Sequence, residues 1–116
     1  MKTNNILDAI DKERLQIINS YDAAKIALEN EKKVMIDFVE KTAEKLLAEI
    51  EVSKSTGYTG DYFYIENIPS VLNGYHDRYL IIDSIRNILS SIGYEVTYTE
   101  DALENSEQNP IINIKW

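Results

Sequence analysis

The chain has no cysteine, a single histidine, and no glycine or proline in its first 56 residues. Without cysteine it can form neither a disulfide framework nor a thiolate metal site. His76 alone would need carboxylates to complete a zinc site, which is an uncommon ligand set, so no metal or other cofactor is expected. No apolar run has the length of a membrane-spanning helix, and no signal-peptide core follows Met1. We therefore expect a cytoplasmic protein without membrane association.

Basic residues are scarce in the second half of the chain. Residues 57–116 carry three Lys/Arg against nine Asp/Glu, whereas residues 1–56 carry nine against eleven, which gives the net charge of -8. Direct nucleic-acid binding is not expected, because it needs a basic footprint. An acidic surface can instead imitate a phosphate backbone, which leaves a DNA-mimic inhibitor as an alternative. Only residues 100–107 form a continuous acidic patch of that kind.

The first 56 residues are typical of long helix. Apolar residues recur there at spacings of three, four or seven, which is the helical period. Two versions fit this pattern: one helix over residues 5–54, or a short helix and a long one with a break near residue 20, where Asn19 or Ser20 could be the N-cap. A continuous helix would be roughly 70 Å long, more than the second half could cover. The uncovered stripe must either pack against another copy of itself or fold back. Oligomerisation is the more economical answer, so we interpret residues 1–56 as a helical segment through which the protein forms a homo-oligomer.

Residues 57–116 predict a compact β-α-β-β module with a three-stranded sheet, so the fold class is α+β. The strands are predicted over residues 61–68 and 94–99 and after Pro110, and the second and third strands are expected to pair. A helix is predicted from Tyr75 to Ile92, with Gly93 as its left-handed C-terminal residue. Residues 101–109 are predicted to be an acidic loop. Because such a module is small, we expect the N-terminal helix or a second subunit to cover the other face of the sheet, using Tyr62, Tyr64 and the unpartnered face of the third strand.

The strongest candidate for a binding site is a group of aromatic and basic residues at the start of this helix. Helix N-termini and arginines attract phosphate, and tyrosines stack on bases. We interpret the group as a pocket for a small anionic ligand, such as a nucleotide. Its residues are Tyr75, His76, Arg78, Tyr79 and Arg86. The alternative is that the tyrosines cover the sheet and the arginines pair with nearby carboxylates.

No catalytic pattern accompanies this group. His76 and Asp77 are sequence neighbours and would not face each other on a helix. No nucleophile elbow and no glycine-rich phosphate loop is present. The sequence therefore predicts a protein that is not an enzyme.

The second half resembles the short accessory proteins of tailed bacteriophages. The resemblance is carried by Gly60-Asp61-Tyr62-Phe63-Tyr64, by Leu89-Ser90-Ser91-Ile92-Gly93-Tyr94-Glu95-Val96, and by the final Ile112-Asn113-Ile114-Lys115-Trp116. It implies a viral protein in an infected bacterial host, acting either as a virion component or as a host-takeover factor. Some takeover factors are oligomers that sequester nucleotide signals of bacterial immunity.

The sequence therefore supports two functional hypotheses. The first is a homo-oligomeric anti-defence protein that sequesters a small nucleotide signal. The second is an acidic inhibitor that binds a host protein, or a virion scaffold protein, through its tyrosine-rich face.

Overall fold

A computed structural model describes residues 2–24, 29–72, 74–99, 101–104 and 108–116. The protein is α+β, with helices and one three-stranded antiparallel sheet, as the sequence predicts. In chain order the helices and strands are α1 (Lys2–Ala24), α2 (Glu29–Ser55), β1 (Gly60–Tyr64), a 3₁₀ turn (Ser70–Leu72), α3 (Tyr75–Ser90), β2 (Glu95–Tyr98), α4 (Asp101–Glu104) and β3 (Ile111–Lys115).

The first half folds back on itself. Helices α1 and α2 pack against each other, and both pack against α3. Arg14 of α1 donates from Nε to Glu40 Oε1 of α2 over 3.0 Å. The version with one continuous helix is therefore wrong. The two helices are separated by residues 25–28, which lie outside the described part of the chain, and Asn19 and Ser20 lie inside α1.

The apolar stripe of the first half is covered from within the chain. Ile17, Met35, Leu46 and Ile50 are almost completely buried, in one apolar cluster with α3 and the sheet. Helix α3 provides the covering surface, because Ile81, Ile82, Ile85, Ile88 and Leu89 give it a wide apolar side. The stripe therefore folds back on the chain and needs no second copy to cover it, while oligomerisation through residues 1–56 stays a prediction.

Two glycines end the helices that precede β1 and β2. Gly57 follows α2 with φ 90° and Gly93 follows α3 with φ 97°, conformations that favour glycine. After α3, the Gly93 N–H donates to the Ser90 carbonyl over 3.1 Å and the Tyr94 N–H donates to the Leu89 carbonyl over 3.0 Å. This pair of bonds is the Schellman motif, which confirms the predicted C-terminal end. Asn73, considered as an N-cap, lies outside the described residues.

Strand β3 lies in the centre of the sheet and is antiparallel to both of its neighbours. β1 and β2 are therefore parallel to each other, and the predicted pairing of the second and third strands is confirmed. The segment between β2 and β3 differs from the predicted loop, because residues 101–104 form α4. Its Leu103 is buried in the core, which holds this turn against the protein.

The two faces of the sheet have different environments. The inner face packs on the helices and is apolar, with Phe63, Ile65, Val96, Ile112 and Ile114 buried. No helix or strand in the described part of the chain covers the opposite face. We call this second surface the outer face and define it by the side chains of Tyr62, Tyr64, Thr97, Ile111 and Asn113.

Candidate functional site

Arg78 lies on the side of α3 that faces the segment before β3. Only 2% of the residue is exposed, and its Nη2 donates to the Gln108 carbonyl over 2.8 Å. Burial lowers the pKa of the guanidinium group, because removal from water disfavours the charged form. Arg78 lines a cavity of about 210 Å³ together with Thr99, Asp101, Gln108, Asn109, Pro110 and Ile111.

Tyr75, Tyr79 and Arg86 lie on a different side of α3. Because each helical residue turns by about 100°, these three positions fall within a narrow sector. We call them the α3 stripe. Both tyrosines are exposed, and Arg86 forms an ion pair with Asp83. His76 is also exposed but points away from the stripe, since it follows Tyr75 by one position.

The five residues predicted from the sequence are therefore not brought together in one pocket. Three of them form the α3 stripe, Arg78 lines the cavity near Gln108, and His76 belongs to neither group. Sequence proximity grouped these residues. The rotation of the helix then separates them, because adjacent helical positions point in different directions.

Tyr98 of β2 lies beside the α3 stripe. Burial raises the pKa of its phenol, and the positive charge of Arg86 acts in the opposite direction. Tyr79, Asp83 and Tyr75 also raise this pKa electrostatically, and helix α3 packs against β2. Tyr98 therefore connects the α3 stripe to the edge of the sheet.

The outer face presents large apolar side chains to solvent. Tyr62 is 67% exposed, Tyr64 54% and Ile111 44%. The sheet register places Tyr62 beside Asn113 and Tyr64 beside Ile111, so these side chains are neighbours on one surface. Tyrosine with an exposed ring is enriched at protein interfaces, because it offers both apolar area and a hydrogen-bonding hydroxyl.

A shallow groove of about 370 Å³ crosses the outer face on the β2 side. Its walls are Tyr62, Thr97, Tyr98, Thr99, Ile111 and Asn113. Tyr98 pairs with the buried Ile112 and alternates with Thr97, so the α3 stripe lies on the helix side of the β2 edge and the groove on the other side. A second groove, of about 300 Å³, lies on the other side of Tyr62 and is lined by Thr59, Gly60, Asp61, Asn113 and Lys115 as well.

The sequence singled out Tyr62 and Tyr64 as a surface for the N-terminal helix or a second subunit to cover, whereas in this chain both are exposed. The residues that complete the groove were missed. The signal available was the strand period: Thr97 and Thr99 alternate with the buried Val96, so they belong to the opposite face. Ile111 and Asn113 alternate with the buried Ile112 in the same way, so they also belong to the outer face. No local sequence pattern predicts that Tyr98 lines the groove, because this depends on the position of β2 beside α3.

A buried carboxyl group at the contact between α1 and α3 was also missed. Glu13 is only 4% exposed, and its side chain meets Ser84 and Asn87 of α3. Burial is the largest influence and raises the pKa of Glu13, hydrogen bonding to Asn87 and Ser84 lowers it, and the charge of Asp83 raises it. The fully buried Ser84 hydroxyl has no hydrogen bond of normal geometry among the described residues.

The described residues contain no group of three or more metal-ligating side chains that could hold a metal ion. Nor does any helix in the described ranges have the length and apolar character needed to cross a membrane. No model of a known family, no curated protein sequence and no solved structure matches the chain.

Proposed function

We propose that this chain is a non-catalytic binding protein that docks a protein partner on the outer face of its sheet. The observation that carries the proposal is the exposure of Tyr62, Tyr64 and Ile111 side by side on a regular sheet. An exposed apolar surface of this kind is typical of interaction sites. Tyrosine is also prominent among the residues that supply most of the binding energy at interfaces.

The partner that fits this surface has a protruding apolar side chain surrounded by basic residues. The groove beside Tyr62 offers about 370 Å³ to such a side chain. The centre of the outer face is uncharged, whereas Glu95 and Asp101 are exposed near the ends of β2. Residues 57–116 carry three basic against nine acidic residues, so long-range attraction favours a basic partner.

The same geometry gives less support to sequestration of a nucleotide. The five residues proposed to hold it do not line one pocket, and Arg86 is paired with Asp83. The cavity beside Arg78 measures about 210 Å³. Pockets for small molecules are usually about 300–1,000 Å³. A DNA mimic is also less well supported, because the centre of the outer face lacks the carboxylates that would replace phosphates.

The bacteriophage setting belongs to the same proposal. In that setting the chain is an accessory protein that inhibits a host protein, and the alternative is a scaffold protein of the virion. The identity of the docked partner separates these two roles. A bacterial protein supports host takeover, and a phage structural protein supports the virion role.

The test is site-specific photo-crosslinking in the cell that expresses the protein, followed by binding measurements with the captured partner. A photoreactive residue at position 62 or 64 is expected to capture a partner. The same residue at position 52, which is an exposed position of α2, is expected not to capture it. Tyr62→Ala and Tyr64→Ala should each weaken binding of the purified partner by at least about tenfold, since interface tyrosines are frequent hot spots.

Tyr58→Ala is the matched control, because Tyr58 is equally exposed but lies outside the outer face. It should leave binding unchanged. The affinity should fall as salt concentration rises, because the attraction of a basic partner is screened. Capture of the same proteins at positions 52 and 62, or unchanged binding by both outer-face variants, contradicts the proposal.

A further inference from the structure

The edge of the sheet at β2 has unpaired backbone groups. The Ile65 N–H donates to the Pro110 carbonyl and the Trp116 N–H donates to the Thr59 carbonyl. These two bonds show that the even-numbered residues of β3 direct their backbone N–H and C=O groups toward β1. The odd-numbered residues of β3 therefore direct theirs toward β2, where they pair with Glu95 and Thr97. The N–H and C=O groups of Val96 and Tyr98 consequently point away from the sheet. None of them has a backbone partner outside the sheet among the described residues.

The opposite edge of the sheet, at β1, is protected. Tyr62 is one of the residues whose backbone points outward there, and its N–H donates to Asp61 Oδ1 over 2.8 Å. The other oxygen of this carboxylate accepts from Ser53 Oγ of α2 over 3.3 Å. A side chain that occupies an edge N–H prevents another strand from pairing there. Among the described residues, the β2 edge is therefore the more open of the two to a further strand.

The α3 stripe lies next to this open edge. Helix α3 packs against β2, and the exposed stripe borders the buried side of the helix that contains Ile82 and Leu89. The charge of Arg86 also acts on the phenol of Tyr98 in β2. One approaching molecule would therefore cover both the open edge and the stripe. The two surfaces together contain backbone hydrogen-bonding groups, tyrosine rings and the cation of Arg86, which lies beside the anion of Asp83.

We propose that a second copy of this chain occupies this surface, so that two β2 strands pair antiparallel about a two-fold axis at Thr97. In this register Val96 of each copy lies opposite Tyr98 of the other. All four outward-facing N–H groups then find carbonyl partners in four hydrogen bonds. The resulting sheet has six strands, and two β-branched–aromatic pairs and one Thr–Thr pair form across the junction.

Arg86 of the α3 stripe and Asp83 beside it form a self-complementary pair of charges. An antiparallel pair of β2 strands also makes the two α3 helices antiparallel, which brings Arg86 of each copy toward Asp83 of the other. The stripe together with Asp83 is locally neutral, although the chain carries a net charge of -8. A two-fold interface needs such a self-complementary patch. This proposal shares Thr97 with the outer face, but it does not rest on the proposed function, because Tyr62 and Tyr64 take no part in it.

Cysteine crosslinking tests the register directly, since the chain has no cysteine of its own. Opposed residues of a non-hydrogen-bonded antiparallel pair have Cα atoms about 4.5 Å apart, which is within the range of a disulfide. Oxidised Thr97→Cys is expected to form a covalent dimer in nearly all molecules. Thr59→Cys, exposed on the far side of the sheet, should form no covalent dimer.

A charge exchange at the same position tests the interface without a covalent bond. Thr97→Lys and Thr97→Glu each place like charges opposite one another, so each variant alone should dimerise at least about tenfold more weakly than the unmodified chain. An equimolar mixture of the two should recover a heterodimer, which a folding defect could not produce. Thr59→Lys should keep the dimer intact. Sedimentation velocity and native mass spectrometry measure the masses.

Three results would overturn the dimer: an unmodified chain that is monomeric at high micromolar concentration, a dimer that neither Thr97 charge variant weakens, or no recovery on mixing. The outcome is separable from that of the proposed function. Tyr62→Ala and Tyr64→Ala should lose the protein partner but keep the dimeric mass. The Thr97 charge variants change the mass whether or not a partner exists.

Discussion

Ile111 and Ile112 are the same residue type at adjacent positions of β3, yet the sheet gives them opposite environments. Ile112 is completely buried against the helices, whereas Ile111 is 44% exposed on the outer face. Burial of an apolar side chain stabilises the fold, and an exposed one contributes little to it. The inner face therefore accounts for stability. The apolar residues of the outer face need a different explanation, which docking of a partner provides.

The largest expected effect comes from removing the buried member of this pair. Ile112→Ala should lower the free energy of unfolding by about 2–5 kcal/mol, because it leaves a cavity in the core. Ile111→Ala should change it by no more than about 0.5 kcal/mol, as exposed substitutions usually do. Urea denaturation of both variants measures the difference. Equal effects of the two substitutions would mean that the outer face is also covered in the folded protein.

Glu13 is an exception to the apolar character of the buried side chains, because it is an acidic residue at a buried position. This position leads to a pH-dependent prediction. Its pKa is raised in the folded protein, so the stability associated with the protonated acid is fully present below the ordinary pKa of glutamate. That stability is lost as the pH rises through the folded pKa. Glu13→Gln should therefore stabilise the protein at neutral pH, on the order of 1 kcal/mol.

The advantage of Glu13→Gln should disappear as the pH falls below about 4.3, where the unfolded chain is also protonated. Thermal unfolding from pH 3 to 8 measures this trend. Glu44→Gln, at an exposed position on α2, is the control and should show no comparable pH dependence. A constant difference between Glu13→Gln and the unmodified chain at all pH values would show that Glu13 has the same pKa folded and unfolded.

A small change in stability is also expected from a substitution at the protected β1 edge. Asp61→Ala removes the acceptor of the Tyr62 N–H and leaves that backbone group to solvent. The cost should be no more than about 1 kcal/mol, the usual net value of one hydrogen bond. The more informative result is association, because the β1 edge would then be open. Light scattering should detect species larger than those of the unmodified chain, and an unchanged size distribution would show that Asp61 does not protect the edge.

The features predicted correctly from the sequence are those with a local physical cause. Gly93 favours a positive φ, and the apolar period upstream of it defines α3, so neither needs information from elsewhere in the chain. The alternation of Tyr62, Phe63 and Tyr64 likewise identifies the two faces of β1.

The features that sequence reasoning missed depend on distant residues. A helical apolar stripe has the same period whether α2, α3 or another copy covers it, so the fold-back of α1 had no distinguishing pattern. Glu13 falls between Ile10 and Ile17 of that stripe, but charge alone predicts exposure for it. The grouping of Arg78 with Tyr75 failed because rotation along α3 outweighs proximity in sequence.

The order of the strands sets a condition on how the protein is made. β3 comes after β1 and β2 in the chain, yet it lies between them and supplies all of their ladder partners. During synthesis the helices can collapse together early, but the sheet has to wait until residues 111–115 leave the ribosome. Until then β1 and β2 are separate strands with unpaired edges, and an incomplete chain exposes the apolar side chains that β3 would cover. A nascent chain stalled before Ile111 is therefore the form most exposed to chaperones and proteases.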